Sequence, residues 1–116
     1  MRDILLLLLP FSLFAQTSFI TPMEYASSLY KNPRGIGCQN CHGDSGEGRV
    51  VARYEDKKEK KSFVGPEINS MDFNHFFTAL NVRRNGMPRY FLTQKEIQAL
   101  YFYVQEKKKE KNSNVK

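Results

Sequence analysis

The stretch GIGCQNCHGDSGEG, residues 35–48, carries both cysteines of the 116-residue chain, one of its two histidines and five of its seven glycines. Thiols at i and i+3 with an imidazole directly behind them admit three chemistries: a zinc ligand set, a thiol–disulfide redox centre, or covalent attachment of a haem. Each makes a different demand on the rest of the chain. A structural zinc site wants four ligands, usually as two spaced pairs, and beyond Cys38, Cys41 and His42 only the distant His75 is on offer. A thioredoxin-like redox pair stands at a helix start after a strand, and no strand is legible upstream of Cys38. Haem attachment needs no further residues. Cys38 and Cys41 can add to the two vinyl groups along one haem edge, Gln39 and Asn40 between them do not obstruct, and His42 is placed to bind the iron.

The first residues bear on that choice. After Met1-Arg2-Asp3 comes ILLLLLPFSLFA, an apolar run interrupted by Pro10 and ended by the small Ala15. A basic residue, a short apolar core and a small residue at the cut are the parts of a secretory signal peptide. The run is shorter than the ~20 residues a membrane-spanning helix needs. The expected organisation is a signal peptide at 1–15, a domain at 16–106 and a flexible basic tail at 107–116, with localisation in the periplasm. Two exposed thiols in an oxidising compartment would pair unless something else claims them. The net charge of +6 favours acidic protein partners, or a peripheral contact with anionic membrane, and makes nucleic acid an improbable partner outside the cytoplasm.

The remaining pattern reads as helical. In TPMEYASSLYKN, residues 21–32, Thr21 caps, Pro22 suits the first turn, Glu24 completes a capping box, and Ile20 can staple onto Tyr25. Phe73, Phe76, Phe77 and Leu80 stand at i, i+3, i+4 and i+7, and Asn85-Gly86 is the expected stop. A second capping box, Thr93 to Glu96, opens a helix carrying Ile97, Leu100, Tyr101 and Val104, with Phe102 or Tyr103 flanking its core contact. EDKKEKK, 55–61, reads as a solvated loop or exposed turn, and GPEI, 65–68, as a turn. No strand is expected. The fold class is therefore all-α: three to four short helices around one covalently bound haem. The haem also supplies the large flat core element that a mature chain of about 100 residues without tryptophan lacks.

On these residues the chain resembles the small single-haem bacterial cytochromes c of the class I fold, from Thr21 to about Glu106. CQNCHG is similar to the family's haem-binding signature, with Cys38 and Cys41 as thioether sites and His42 as the proximal ligand. The resemblance implies that the carbonyl of Pro66, in GPEI, receives the ring N–H of His42. It also implies that NGMPRY, 85–90, delivers the distal methionine and that the N- and C-terminal helices cross. Two features depart from the family: the charged insertion at 55–61, and the missing tryptophan that would bond a haem propionate. Arg49, Arg53, Tyr54, Arg89 and Tyr90 are the candidates to replace it.

The sixth ligand decides the function. Met23, Met71, Met87 and His75 are the candidates in the mature chain. Met87 is favoured because Gly86 lets the backbone approach closely and Pro88 stiffens the turn. With His42 and Met87 both bound, no position is left for substrate. The expected protein is then no enzyme but a monomeric carrier that passes single electrons. The resemblance implies transient docking on redox proteins such as a quinol-oxidising complex, a terminal oxidase or a peroxidase. The alternative is a gas- or peroxide-binding sensor or enzyme subunit with a labile sixth ligand.

Overall fold

The computed structural model describes residues 19–83 and 86–115. The signal peptide expected at 1–15, and Asn85 of the expected helix stop, lie outside them. Among the described residues, four helices and one hairpin follow in the order α1 (Pro22–Lys31), α2 (Gln39–His42), β1 (Arg49–Asp56), β2 (Glu59–Gly65), α3 (Phe73–Asn81) and α4 (Gln94–Ser113).

Local chemistry explains the helix starts. Thr21 Oγ1 accepts from the Glu24 amide at 3.0 Å and the Glu24 carboxylate accepts from the Thr21 amide, so two otherwise orphan donors are satisfied at the start of α1. Thr93 and Glu96 repeat the arrangement for α4. Asp72 caps α3 by accepting from the His75 amide at 2.9 Å. Helix α3 ends at Asn81, short of the expected stop: the Asn81 side chain donates to the Phe77 carbonyl at 2.8 Å and Val82 turns extended. Helix α4 runs through Ser113, so most of the segment read as a basic tail is helical.

The core is the contact of α1 and α3 with α4. Ala26, Leu29 and Tyr30 of α1 are buried together with Ile97, Leu100, Tyr103 and Val104 of α4. The rings of Tyr30 and Tyr103 meet at 4.8 Å between centroids, tilted by 36°. Tyr103 is thus a core residue rather than a flanking one, whereas Phe102 is exposed. From α3, Phe73 and Phe76 each meet Tyr101 at 5.4 Å in edge-on geometry, worth about 0.5–1.5 kcal/mol per pair beyond burial.

The all-α expectation is overturned by residues 49–65. They form a two-stranded antiparallel sheet with a bulge between Val50 and Ala52, and the chain is a mixed α and β protein. The β-branched and aromatic residues Val50, Val51, Tyr54, Phe63 and Val64 suit a pleated surface. The charged run forms the outer half of the hairpin, with Glu55 opposite Lys60 and Lys61 bonded to Asp56 at 3.0 Å. The turn is Lys57-Lys58, with φ of 50° and 68°. Positive φ at both central residues is what a tight hairpin turn requires, normally met by Asn-Gly. Lysines there hide the signal.

Two predictions follow from these local geometries. Left-handed backbone costs an ordinary residue roughly 1–2 kcal/mol, so Lys57→Asn combined with Lys58→Gly is expected to stabilise the protein by about 1 kcal/mol. Thermal unfolding should register this as a rise of about 4–8 °C, and a fall would contradict the turn. The second concerns Arg34, which clamps both carboxylate oxygens of Glu96 at 2.7 and 2.8 Å and also bonds the Phe91 carbonyl. The guanidinium first, and the Thr93 amide second, hold the Glu96 carboxyl down from 4.5 to about 2. A proton therefore binds Glu96 more weakly in the folded state. Its stabilisation is complete above pH 4.5 and is lost as pH falls towards 2. Glu96→Gln keeps the cap but removes the charge, so denaturant unfolding across that window should be flatter with pH than in the wild type.

Candidate functional site

The motif is held by backbone bonds at both ends. The Cys38 amide donates to the Tyr30 carbonyl at the end of α1 at 2.9 Å, and the Cys38 carbonyl accepts from His42 at 2.8 Å. Cys38 thereby caps the single turn α2, and Cys38, Cys41 and His42 all reach the wall of one cavity of about 420 Å³. That volume is within the ~300–1,000 Å³ of small-molecule and cofactor sites. The rest of the wall is chiefly apolar and comes from α1, β2, α3, α4 and the loops between them: Tyr30, Phe63, Ile68, Phe76, Leu80 and Leu100 among others.

His42 is buried, and its Nδ1 lies 2.7 Å from the carbonyl oxygen of Pro66. A carbonyl can only accept, so Nδ1 is the donor and carries the ring proton. In the neutral ring the lone pair is then on Nε2, the form a metal ligand needs, and the carbonyl fixes the ring's orientation. Next to Pro66, Gly65 lies so close to the Cys41 carbonyl that a Cβ would overlap it. The end of β2 is thus seated on the motif through two consecutive residues.

The candidates for the far side separate. Met87 and Met71 both line the cavity. His75 does not: it is exposed on α3 and bonds Asp72 at 2.6 Å. Met23 lies in α1, away from the cavity wall. Of the residues proposed for propionate contact, only Tyr90 reaches the wall, and its hydroxyl donates to the Ile36 carbonyl at 2.7 Å. Arg49 bonds the Gln39 carbonyl, Arg89 stacks on Phe91, and Arg53 and Tyr54 are exposed on β1.

The thiol chemistry also discriminates. Cys38 and Cys41 are not joined to each other. Burial, the largest cause, and then the neighbouring Cys41 push the Cys38 thiol up to about 12. A reactive redox thiol is tuned in the opposite direction. Among the described residues no three His, Cys, Asp or Glu side chains converge to hold a metal ion, whereas zinc takes three or four such ligands. The donor set suits a haem instead: two free thiols and one imidazole on the same wall, with the Nδ1 proton held by Pro66, an apolar lining, and the thioethers of Met71 and Met87.

Compared with protein-family models, curated proteins and solved structures, the chain matches none. The reading of the site rests on its own residues.

Sequence reasoning missed the hairpin's share of the wall. Phe63, Val64 and Gly65 of β2 all line the cavity. The β-branched and aromatic content of VVARY and SFVG was the available signal. It was masked by the lysines between them.

Gly65→Ala tests the seating of β2. The added methyl meets backbone, which cannot swing aside as a side chain can, so a loss of about 3 kcal/mol is expected. A wild-type midpoint in denaturant unfolding would mean that β2 does not rest on Cys41.

Proposed function

We propose that this chain is an exported, periplasmic electron carrier of the c-type cytochrome kind, in which Cys38 and Cys41 would hold one haem and His42 and Met87 would bind its iron. The observation that carries the reading is the meeting of Cys38, Cys41, His42 and Met87 around one apolar cavity, with the His42 proton committed to Pro66. A bound haem supplies a one-electron iron couple.

The chain's own residues account for how that couple would be tuned. The His42–Pro66 bond keeps the imidazole in one tautomer and one orientation, so the ligand need not reorganise when charge changes. A methionine thioether is soft and neutral, and it favours the lower charge state of iron over a second imidazole. The apolar wall disfavours added charge and so acts in the same direction. With His42 and Met87 both holding the iron, no position there would be left for a substrate, as suits a carrier. Protein redox partners, reached by transient docking on this basic chain, are the proposed donors and acceptors.

The optical spectrum of the mature protein isolated from its native compartment tests this. Expected are the split reduced bands of a covalently bound haem and a weak sulfur-to-iron charge-transfer band in the ferric form. Met87→Ala should abolish that band and Met71→Ala should retain it. A colourless protein overturns the reading, and the reverse pattern in the two variants moves the ligand to Met71.

A further inference from the structure

We infer that Phe63 is a positioning residue for Met87: its ring, carried by β2, packs against the backbone of Gly86 and sets where the adjacent thioether stands in the cavity. The inference rests on the assignment of Met87 as an axial ligand.

Gly86 has a φ of 84°, a left-handed conformation that favours glycine. A Cβ at Gly86 would overlap Cζ of Phe63 and come within 2.9 Å of Cε2. The edge of the ring therefore lies directly on the glycine backbone. Phe63, Gly86, Met87 and Pro88 all belong to the cavity wall.

The position of the ring is itself referenced to the haem-binding motif. Side chains two apart on a strand share a face, so Phe63 and Gly65 point the same way, and Gly65 is seated on the Cys41 carbonyl. One short strand thus spans from Cys41 to Gly86. On the downstream side, Tyr90 donates its amide to the Leu80 carbonyl at 3.3 Å and its hydroxyl to Ile36. Met87 sits on the stretch between these two anchors. Deleting the ring releases the upstream anchor at a glycine, the residue with most backbone freedom to gain, while the anchor at Tyr90 stays in place. The methionine should then yield more readily to an external ligand.

The test uses the full mature chain with its haem, and reads the sulfur-to-iron band and the carbon monoxide affinity of the ferrous form. Phe63→Ala should keep the covalent haem while raising carbon monoxide affinity about tenfold, the scale of one lost aromatic contact. Phe63→Leu should fall between it and the wild type. Tyr54→Ala, farther out on the same hairpin and absent from the cavity wall, should match the wild type. Gly86→Ala should also raise the affinity, and by less in the Phe63→Ala background, because the methyl no longer meets a ring. An unchanged band and affinity in Phe63→Ala overturns the inference, as does an equal effect of Tyr54→Ala, which would indicate general loosening of the hairpin. Should Phe63→Ala not be recovered folded, wild-type affinity in Phe63→Leu overturns it. A haem-loaded wild type that lacks the sulfur band fails differently, by removing Met87 as a ligand before the ring is touched.

Discussion

One hydrogen bond, from His42 Nδ1 to the carbonyl of Pro66 at 2.7 Å, organises the molecule around its cavity. In water such a bond contributes about 1 kcal/mol net, but here its role is mainly geometric. It decides which ring nitrogen is protonated. It also joins the one-turn helix α2 to the chain leaving β2, across the 24 residues separating the two groups. The adjoining contact of Gly65 with Cys41 means that the hairpin cannot slide relative to the motif without breaking both. A proline suits the position because it has no amide proton of its own, and its fixed φ directs the chain away from the strand.

The second organising element is α4, which gathers the other pieces with aromatic hydroxyls that reach backbone. Tyr101 donates to the Met71 carbonyl and Tyr103 to that of Asp44, at 3.0 and 3.3 Å. From α1, Tyr30 donates to the Gly43 carbonyl. Each of these phenols has an apolar body packed on or in the core and a polar tip that bonds the backbone of an irregular loop, so each ties a loop to a helix. A chain without tryptophan can in this way support long loops around its cavity. Burial pushes the Tyr30 hydroxyl upward, and the nearby Cys38 and Tyr103 add to that shift, which keeps the group a neutral donor.

Helices α1, α3 and α4 and the grouping of Cys38, Cys41 and His42 were legible because their signals are local. A capping box lies within four residues, and an amphipathic stripe within eight. The same holds for the thiol spacing, since a single helical turn brings i, i+3 and i+4 to one place. The hairpin was not legible. Its turn uses two lysines where the backbone geometry favours Asn-Gly, and its outer half is a charge run that reads as solvent-exposed. It is indeed exposed, but it is also paired. The stop of α3 was misplaced because an asparagine side chain bonding back to Phe77 leaves no mark that differs from an ordinary polar position. Of the far-side candidates, His75 falls between the stripe positions Phe73, Phe76, Phe77 and Leu80, which reads as an exposed histidine, and it is exposed and bonded to Asp72.

The apolar residues of this protein serve two purposes at once. Phe76, Leu80 and Leu100 are each at most 6% exposed and belong to the core, yet the same three form part of the cavity wall. A small chain has few such residues to spare, so core and binding site cannot be optimised separately. A group seated in the cavity packs against side chains that also hold α3 on α4, and its binding free energy adds to that of folding by linkage. For a group held only by non-covalent contacts that gain depends on its free concentration. Two thioether bonds to such a group would remove the dependence, because the group would stay with the unfolded chain and be present at full effective concentration each time the chain refolds. Under the proposed attachment Cys38 and Cys41 would therefore have a structural rationale that is independent of redox chemistry: they would make the missing part of a small core a permanent part of the polypeptide.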